Sequence, residues 1–176
     1  MVDEQWIINL RKIDKGIFRT MNGNADELIA IGRVIKAGFP CSRVDVTNAK
    51  YDAIVDIGGY QKLLRIQIKG TGTDSISFTG GYRSGKQISR SAPKRTYKYT
   101  EKDCDLIIGI DTNNGECYII PIADIKDWGN TKKLAQLQHY KENWCILINL
   151  AEEKNNLKAF EEVAVQDGDV RGRPQE

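Results

Sequence analysis

Tyr51-Asp52-Ala53-Ile54-Val55-Asp56-Ile57-Gly58-Gly59-Tyr60-Gln61-Lys62-Leu63-Leu64-Arg65-Ile66-Gln67-Ile68-Lys69-Gly70 is the stretch that decides how the rest of the chain is read. Two runs that alternate with period two flank a Gly-Gly turn, the sequence form of a β-hairpin. In the first run Asp52, Ile54 and Asp56 share a face. In the second Arg65, Gln67 and Lys69 do, while Leu64, Ile66 and Ile68 point the other way. With the turn at Gly58 to Gln61, Ile57 pairs with Lys62, Asp52 lies opposite Gln67, and Lys69 projects from the same surface one step on. A carboxylate, an amide oxygen and an ammonium group then lie close together, since cross-strand neighbours are roughly 5 Å apart. That set is either a metal site with a lysine beside it or the wet face of a half-exposed hairpin, and the hairpin alone does not separate the two.

The segment upstream bears on the choice. Residues 2 to 20 carry Trp6, Ile7, Ile8, Leu10, Ile13, Ile17 and Phe18 at roughly helical spacing and read as a first helix. Met21-Asn22-Gly23-Asn24 reads as a turn, with Asn24 as the N-cap of a second helix from Ala25 to Ala37 that stops at Gly38 and Phe39-Pro40. Its apolar stripe is Leu28, Ile31, Val34 and Ile35; Glu27 lies on the shoulder of that stripe and Asp26 points the opposite way. Glu27 is either a first-turn acid, stabilised by the helix dipole by about 0.3–1 kcal/mol, or a core-facing carboxylate that reaches the polar side of the hairpin. Its combination with Asp52, Gln67 and Lys69 favours the second.

The 176 residues have the length of one domain, read here as residues 1–153 with a polar tail at 154–176. The 40% apolar and 28% charged composition is that of an ordinary soluble protein. No run of about 18 apolar residues is present to span a membrane, and the N-terminus lacks the apolar core of a signal peptide, so a cytoplasmic location is expected. Cys41, Cys104, Cys117 and Cys145 are far apart and His139 is the only histidine. That usage argues against a structural zinc site and a histidine-based nuclease site, and leaves the cysteines as small apolar residues.

The net charge of +2 says little, but its distribution is uneven. From Ser75 to Thr100 every charged residue is basic: Arg83, Lys86, Arg90, Lys94, Arg95 and Lys98. Cys41 to Val46 and Ser75 to Phe78 read as short strands, and Thr79 to Thr100 as a long loop with Tyr82, Tyr97 and Tyr99. Asp105 to Asp111 and Glu116 to Ile122 read as a hairpin about Thr112-Asn113-Asn114-Gly115. Ile125 to Trp128 and Lys132 to Tyr140 look helical, and Trp144 to Leu150 reads as a returning strand. The fold class is α/β.

Phosphodiester hydrolysis needs a divalent metal to neutralise developing charge and lower the pKa of a water, and a group that positions that water. Hard ions such as Mg²⁺ take oxygen ligands. Asp52, the Gln67 amide oxygen, the Ile68 carbonyl and Glu27 supply such a set, with Lys69 to orient the water and face charge on the phosphate.

The order Glu27 on a helix, Tyr51-Asp52 opening a strand and Gln67-Ile68-Lys69 in the next resembles the PD-(D/E)xK nuclease superfamily. Y-D-A-I-V-D-x-G-G and R-I-Q-I-K-G, then Tyr99 to Asp105 and Tyr118 to Ile122, resemble more narrowly the homing endonucleases encoded in group I introns. The likeness covers about residues 24 to 125. Tyr51 stands where the name-giving proline would be, and Gln67 replaces an acid, as in the intron-encoded branch. Asp56 is a second candidate for the motif aspartate, with the pairing register favouring Asp52.

The resemblance implies a restriction-endonuclease-like core, a mixed central β-sheet flanked by helices. It implies a Mg²⁺-dependent endonuclease, with Mn²⁺ as a substitute, that cuts double-stranded DNA at specific sites, of homing or restriction type. Glu27, Asp52, Gln67 and Lys69 are then the catalytic residues, and Glu27, Asp52, Gln67 and Ile68 the metal ligands. Two active sites are needed for two strands, so a homodimer or homotetramer is expected, with residues 130–143 and the strand at Trp144 as contacts. The basic segment is expected to meet backbone phosphates. The rival expectations are a Holliday junction resolvase, an inactive DNA-binding module, and an assembly protein whose basic loop meets an acidic partner.

Overall fold

The computed structural model describes residues 13–46, 49–59, 63–81, 96–154 and 156. In chain order the elements are α1 (Lys15–Lys36), β1 (Cys41–Arg43), β2 (Ala53–Val55), β3 (Leu64–Thr71), β4 (Ser75–Ser77), β5 (Thr79–Gly81), β6 (Thr96–Lys98), β7 (Leu106–Asp111), β8 (Glu116–Pro121), β9 (Thr131–Lys133) and α2 (145–154). The most apolar strands take the middle of the main sheet, whose order is β1-β2-β3-β7-β8. β3 and β7 run parallel, with Ile66 beside Leu106 and Thr71 beside Asp111, and the other pairs are antiparallel. No helix among the described residues is long and apolar enough to cross a membrane.

Each face of the sheet is covered. α1 supplies Ala30, Ile31 and Val34 and α2 supplies Ile146, Leu147 and Ala151 to a core with Val55, Leu64, Ile66, Ile68, Leu106, Ile108 and Ile110. On the opposite face Ile107, Tyr118 and Ile120 pack against Ile76, Phe78, Ile125 and Leu137. A fully buried leucine or isoleucine contributes about 1.5–3 kcal/mol, so both layers are strongly held. Gly109 makes the second layer close: a Cβ there would lie 2.1 Å from Ile76 Cδ1.

The hairpin has the register read from the sequence, with Ala53 opposite Ile66, Ile54 opposite Arg65 and Val55 opposite Leu64. Elsewhere the structure corrects the reading. One continuous helix replaces two: Asp14 is the N-cap, its Oδ1 accepting from Gly16 N at 2.7 Å, and Asn24 lies mid-helix. A mid-helix glycine costs only about 1 kcal/mol, which the packed C-terminal half outweighs. The part of the first predicted helix at residues 1–12 lies outside the described residues. The predicted stripe is also split, for Ile31 and Val34 are buried whereas Leu28 and Ile35 are more than half exposed.

The predicted long loop is bounded by paired strands, β5 against β6, so that Gly81 faces Thr96. Residues 130–143 hold β9 and the short 3-10 helices Leu134–Gln136 and Gln138–Tyr140 rather than one helix. Beyond Trp144 the chain is helical where a strand was expected. Ile146, Leu147, Leu150 and Ala151 reach one side together at the spacing of a helix, and the sheet needs that layer.

One buried ion cluster fixes where β3 and β7 begin. Asp105, buried, accepts from Arg65 N at 2.7 Å and from Arg65 Nη2 at 3.0 Å, and pairs with Lys154 of α2. Burial works against its charge, yet the hydrogen bonds from Arg65 and Lys154 hold its carboxyl below the usual carboxylate range. A carboxylate whose pKa is lower folded than unfolded contributes stability above the unfolded value, near 3.9, and loses it as pH falls through the folded value. Urea unfolding is therefore expected to show Asp105→Asn less stable by about 3 kcal/mol at neutral pH, with the gap to wild type closing as the pH is lowered below about 4.

Candidate active site

β2 begins at Ala53, and the Asp52 N–H just before it donates the last rung toward the C-terminal end of β3, 2.8 Å to the Ile66 carbonyl. β3 runs on for five residues to Thr71, paired with β7 on one side and, among the described residues, with no strand on the side where its pairing with β2 has stopped. The exposed edge is satisfied by side chains. Ile68 N–H donates to Asp52 Oδ2 at 2.8 Å. The Gln67 amide nitrogen donates to the same Asp52 oxygen and, at 3.1 Å, to the Ile68 carbonyl.

A carboxylate oxygen and a carbonyl oxygen thus converge on one positively polarised group, the Nε2 of a buried glutamine. Two oxygens turned on a single donor are what a hard cation takes, and rotating the amide offers Oε1 to the same place. The donor chemistry therefore fits a divalent ion. Among the described residues no cluster of three or more His, Cys, Asp or Glu is placed to hold a metal, so carbonyl and amide oxygens would share the work.

α1 brings two carboxylates to the same place. Glu27 is paired with Arg43 of β1 at 2.9 Å, and Arg43 also donates to Asn24 Oδ1 at 3.1 Å, strapping the edge strand to the helix. Asp26, expected to point away, is the more buried of the two, at 8% exposure. It belongs to the row Asp26, Ala30, Val34, four residues apart along the inner side of α1. Gly70 makes room: a Cβ there would lie 1.7 Å from Asp26 Oδ2. Burial, and then the charge of Glu27, push the Asp26 carboxyl up to about 6.

Lys69 leaves β3 on the same side as Gln67, and its Nζ stands 5.0 Å from the centre of the Tyr99 ring. Tyr97 meets Tyr99 edge to face at 5.3 Å, and Lys50 Nζ lies 4.6 Å over the Tyr97 ring while pairing with Asp103 at 2.8 Å. Both tyrosine hydroxyls close on Gly80, where a Cβ would come within 2.7 and 2.8 Å of them. Burial, and then Tyr97, push the Tyr99 hydroxyl well above the usual range.

Glu27, Asp52, Gln67, Ile68 and Lys69 all line one cavity of about 630 Å³, together with Asp26, Lys50, Tyr97 and Tyr99. Lys98 is elsewhere, its Nζ donating to the carbonyls of Lys126 and Trp128. Arg83, Lys86, Arg90, Lys94 and Arg95 lie outside the described residues. Asp26 and Lys50 were missed in the sequence. The signal for Asp26 was its place four and eight residues before Ala30 and Val34; for Lys50 there was none.

A mixed sheet with helices on one face and a polar cavity where its hairpin opens is a restriction-endonuclease-like fold. The sequence model of the PD-(D/E)XK endonucleases matches residues 19–145, and the chain belongs to that family. Among solved structures the fold is similar to that of a bacterial homing endonuclease, I-Ssp6803I, with a TM-score of 0.57 and 18% identity over 74% of this chain and 93% of that one. No curated protein is a significant match.

The Gly70 contact is open to test by a double-mutant cycle. Gly70→Ala should cost about 1–3 kcal/mol by overpacking, measured by urea unfolding, and markedly less when Asp26 is first changed to alanine.

Proposed function

We propose that the protein is a Mg²⁺-dependent endonuclease that cuts double-stranded DNA at specific sites, with Mn²⁺ able to replace Mg²⁺. The observation that carries this is the convergence of the Asp52 carboxylate, the Ile68 carbonyl and the Gln67 amide on an unpaired strand edge, with Lys69 beside them in one cavity. Asp52, Gln67, the Ile68 carbonyl and Glu27 would hold the ion. When bound, such an ion lowers the pKa of a water and offsets charge on a phosphoryl oxygen.

The chain's own groups do the rest. Asp52 is fixed by the Ile68 N–H, so one carboxylate oxygen keeps its direction. Lys69, carried on a central strand and lying over Tyr99, holds an ammonium where it orients the attacking water and faces the scissile phosphate. Glu27, on a rigid helix, closes the cavity from the other side.

Substrate binding falls to the basic segment. β5 and β6 pair Gly81 with Thr96, and Gly81 itself lines the cavity. Arg83, Lys86, Arg90, Lys94, Arg95 and Lys98 contact DNA in this reading, giving affinity that falls steeply with salt. Cutting both strands requires two such sites, so the working form is a homodimer or homotetramer. The homing type is supported by the likeness to the homing endonuclease fold and by glutamine at position 67.

Two measurements test the reading. Wild type, Asp52→Ala and Lys69→Ala are given a random-sequence duplex library and a synthetic four-way junction, with Mg²⁺ or with EDTA. Cutting at one enriched duplex sequence, lost in EDTA and in both variants while DNA binding persists, is expected; cutting confined to the junction would make the protein a resolvase, and cutting by either variant would refute the site. Neutralising Lys94 and Arg95 should lower the slope of log affinity against log salt by about 1–2, and an unchanged slope would remove both residues from the interface.

A further inference from the structure

We infer that α1 carries a phosphate subsite at Arg19, Asn22 and Gly23, which takes a backbone phosphate flanking the scissile one on the same DNA strand. The inference rests on the nuclease reading above and deepens it, adding substrate contacts that lie outside both the proposed metal site and the basic segment.

The cavity that holds the strand-edge groups extends along α1. Arg19, Asn22, Gly23, Asp26 and Glu27 all line it, and spacings of three, four, seven and eight residues put them on one side of the helix. Gly72 and Thr112, just past the ends of β3 and β7, line it as well. An ion with six waters fills about 200 Å³. The cavity of about 630 Å³ therefore has room for a length of chain beyond the ion. A DNA strand carries a negative charge on every nucleotide, so a strand whose scissile phosphate faces Lys69 brings further phosphates with it. Arg19 lies seven residues from Asp26, about 10 Å along the helix axis.

Among the described residues three cations line the cavity, and they differ in how they are held. Lys50 is paired with Asp103, and Lys69 stands over the Tyr99 ring. Arg19 is exposed and enters no ion pair, hydrogen bond or ring contact among the described residues. Its guanidinium is thus available to a phosphate, which it matches in bidentate geometry. One turn on, Gly23 leaves the backbone bare. No atom lies within 4 Å of where its Cβ would be, so unlike Gly70 and Gly80 it is not required by a neighbouring side chain. A glycine weakens a helix interior; here the gap opens α1 to the cavity beside Asn22, whose amide is a donor for phosphate oxygens.

Fluorescence anisotropy on a labelled random-sequence duplex, in EDTA and at several salt concentrations, tests this on the full chain as wild type, Arg19→Ala, Arg19→Lys and Gly23→Leu. Arg19→Ala is expected to weaken binding about tenfold and to lower the slope of log affinity against log salt by about 1. Its melting temperature should be that of wild type, because the side chain is exposed. Arg19→Lys should restore the slope and part of the affinity, since it keeps the charge. Gly23→Leu should keep or raise the melting temperature while weakening binding. With Mg²⁺, on the duplex sequence that wild type cuts, Arg19→Ala should raise KM and leave kcat within about twofold. The enriched sequence should not change, because phosphate contacts carry no sequence information. A slope and KM equal to wild type in Arg19→Ala, or wild-type binding by Gly23→Leu, would overturn the inference while cutting that depends on Asp52 and Lys69 stands. Duplex binding with the expected loss in Arg19→Ala but no cutting would keep the subsite and overturn the nuclease reading. No duplex binding by wild type would overturn both.

Discussion

The site depends on a strand ending early. β3 must be long to reach through the core, and β2, its partner in the hairpin, is only three residues. Past Ile66 the open edge of β3 would leave backbone groups unpaired close to the core, a cost of a hydrogen bond each. Asp52, the residue just before β2, meets that cost with its side chain by accepting from Ile68 N–H. The same placement puts a carboxylate where the Ile68 carbonyl emerges and where Gln67 and Lys69 share a face. Structural repair and assembly of the site are one event, which explains why Asp52 is set at the end of the rung ladder and not within it.

Around this edge Lys50 and Lys69 are held by groups outside the proposed ligand set, and Arg43 engages Glu27 within it. Lys50 is drawn to Asp103 and the Tyr97 ring, Lys69 stands over Tyr99, and Arg43 bridges Asn24 and Glu27. Packed aromatic faces hold an ammonium near a carboxylate without taking up that carboxylate's oxygens, since the ring supplies the attraction. Gly80 and Gly70 serve this arrangement by the same means, one admitting two tyrosine hydroxyls and the other an aspartate. Both positions forbid a side chain because a polar group already fills its space.

The hairpin was legible because strand periodicity is rigid: once the Gly-Gly turn is fixed, every cross-strand pair follows. The β7–β8 pair was legible for the same reason, its turn ending in Gly115 at a positive φ of 73°. Helices were read less well. Leu28 and Ile35 fall on the same apparent stripe as Ile31 and Val34, and periodicity alone does not say which side of a two-sided apolar helix meets the sheet. Asp26 was assigned outward because it lies opposite the stripe of Leu28, Ile31, Val34 and Ile35 on the helical wheel, and Gly70, distant in sequence, makes the room that admits it. Residues 144–150 were taken for a strand because a short apolar run has no period of its own; the open face of the sheet decides it.

The glutamine at 67 gains a physical context from α1. An acid there would add a second negative charge beside Asp52, close enough to repel it when no cation is bound. With glutamine the β-strand side of the cavity carries one carboxylate, and the amide hydrogen-bonds that carboxylate instead of opposing it. Across the cavity stand Glu27, paired with Arg43, and Asp26, seated against Gly70. Glutamine at 67 thus keeps the strand side of the cavity to a single carboxylate that its own neighbour stabilises, and leaves the remaining acids to α1.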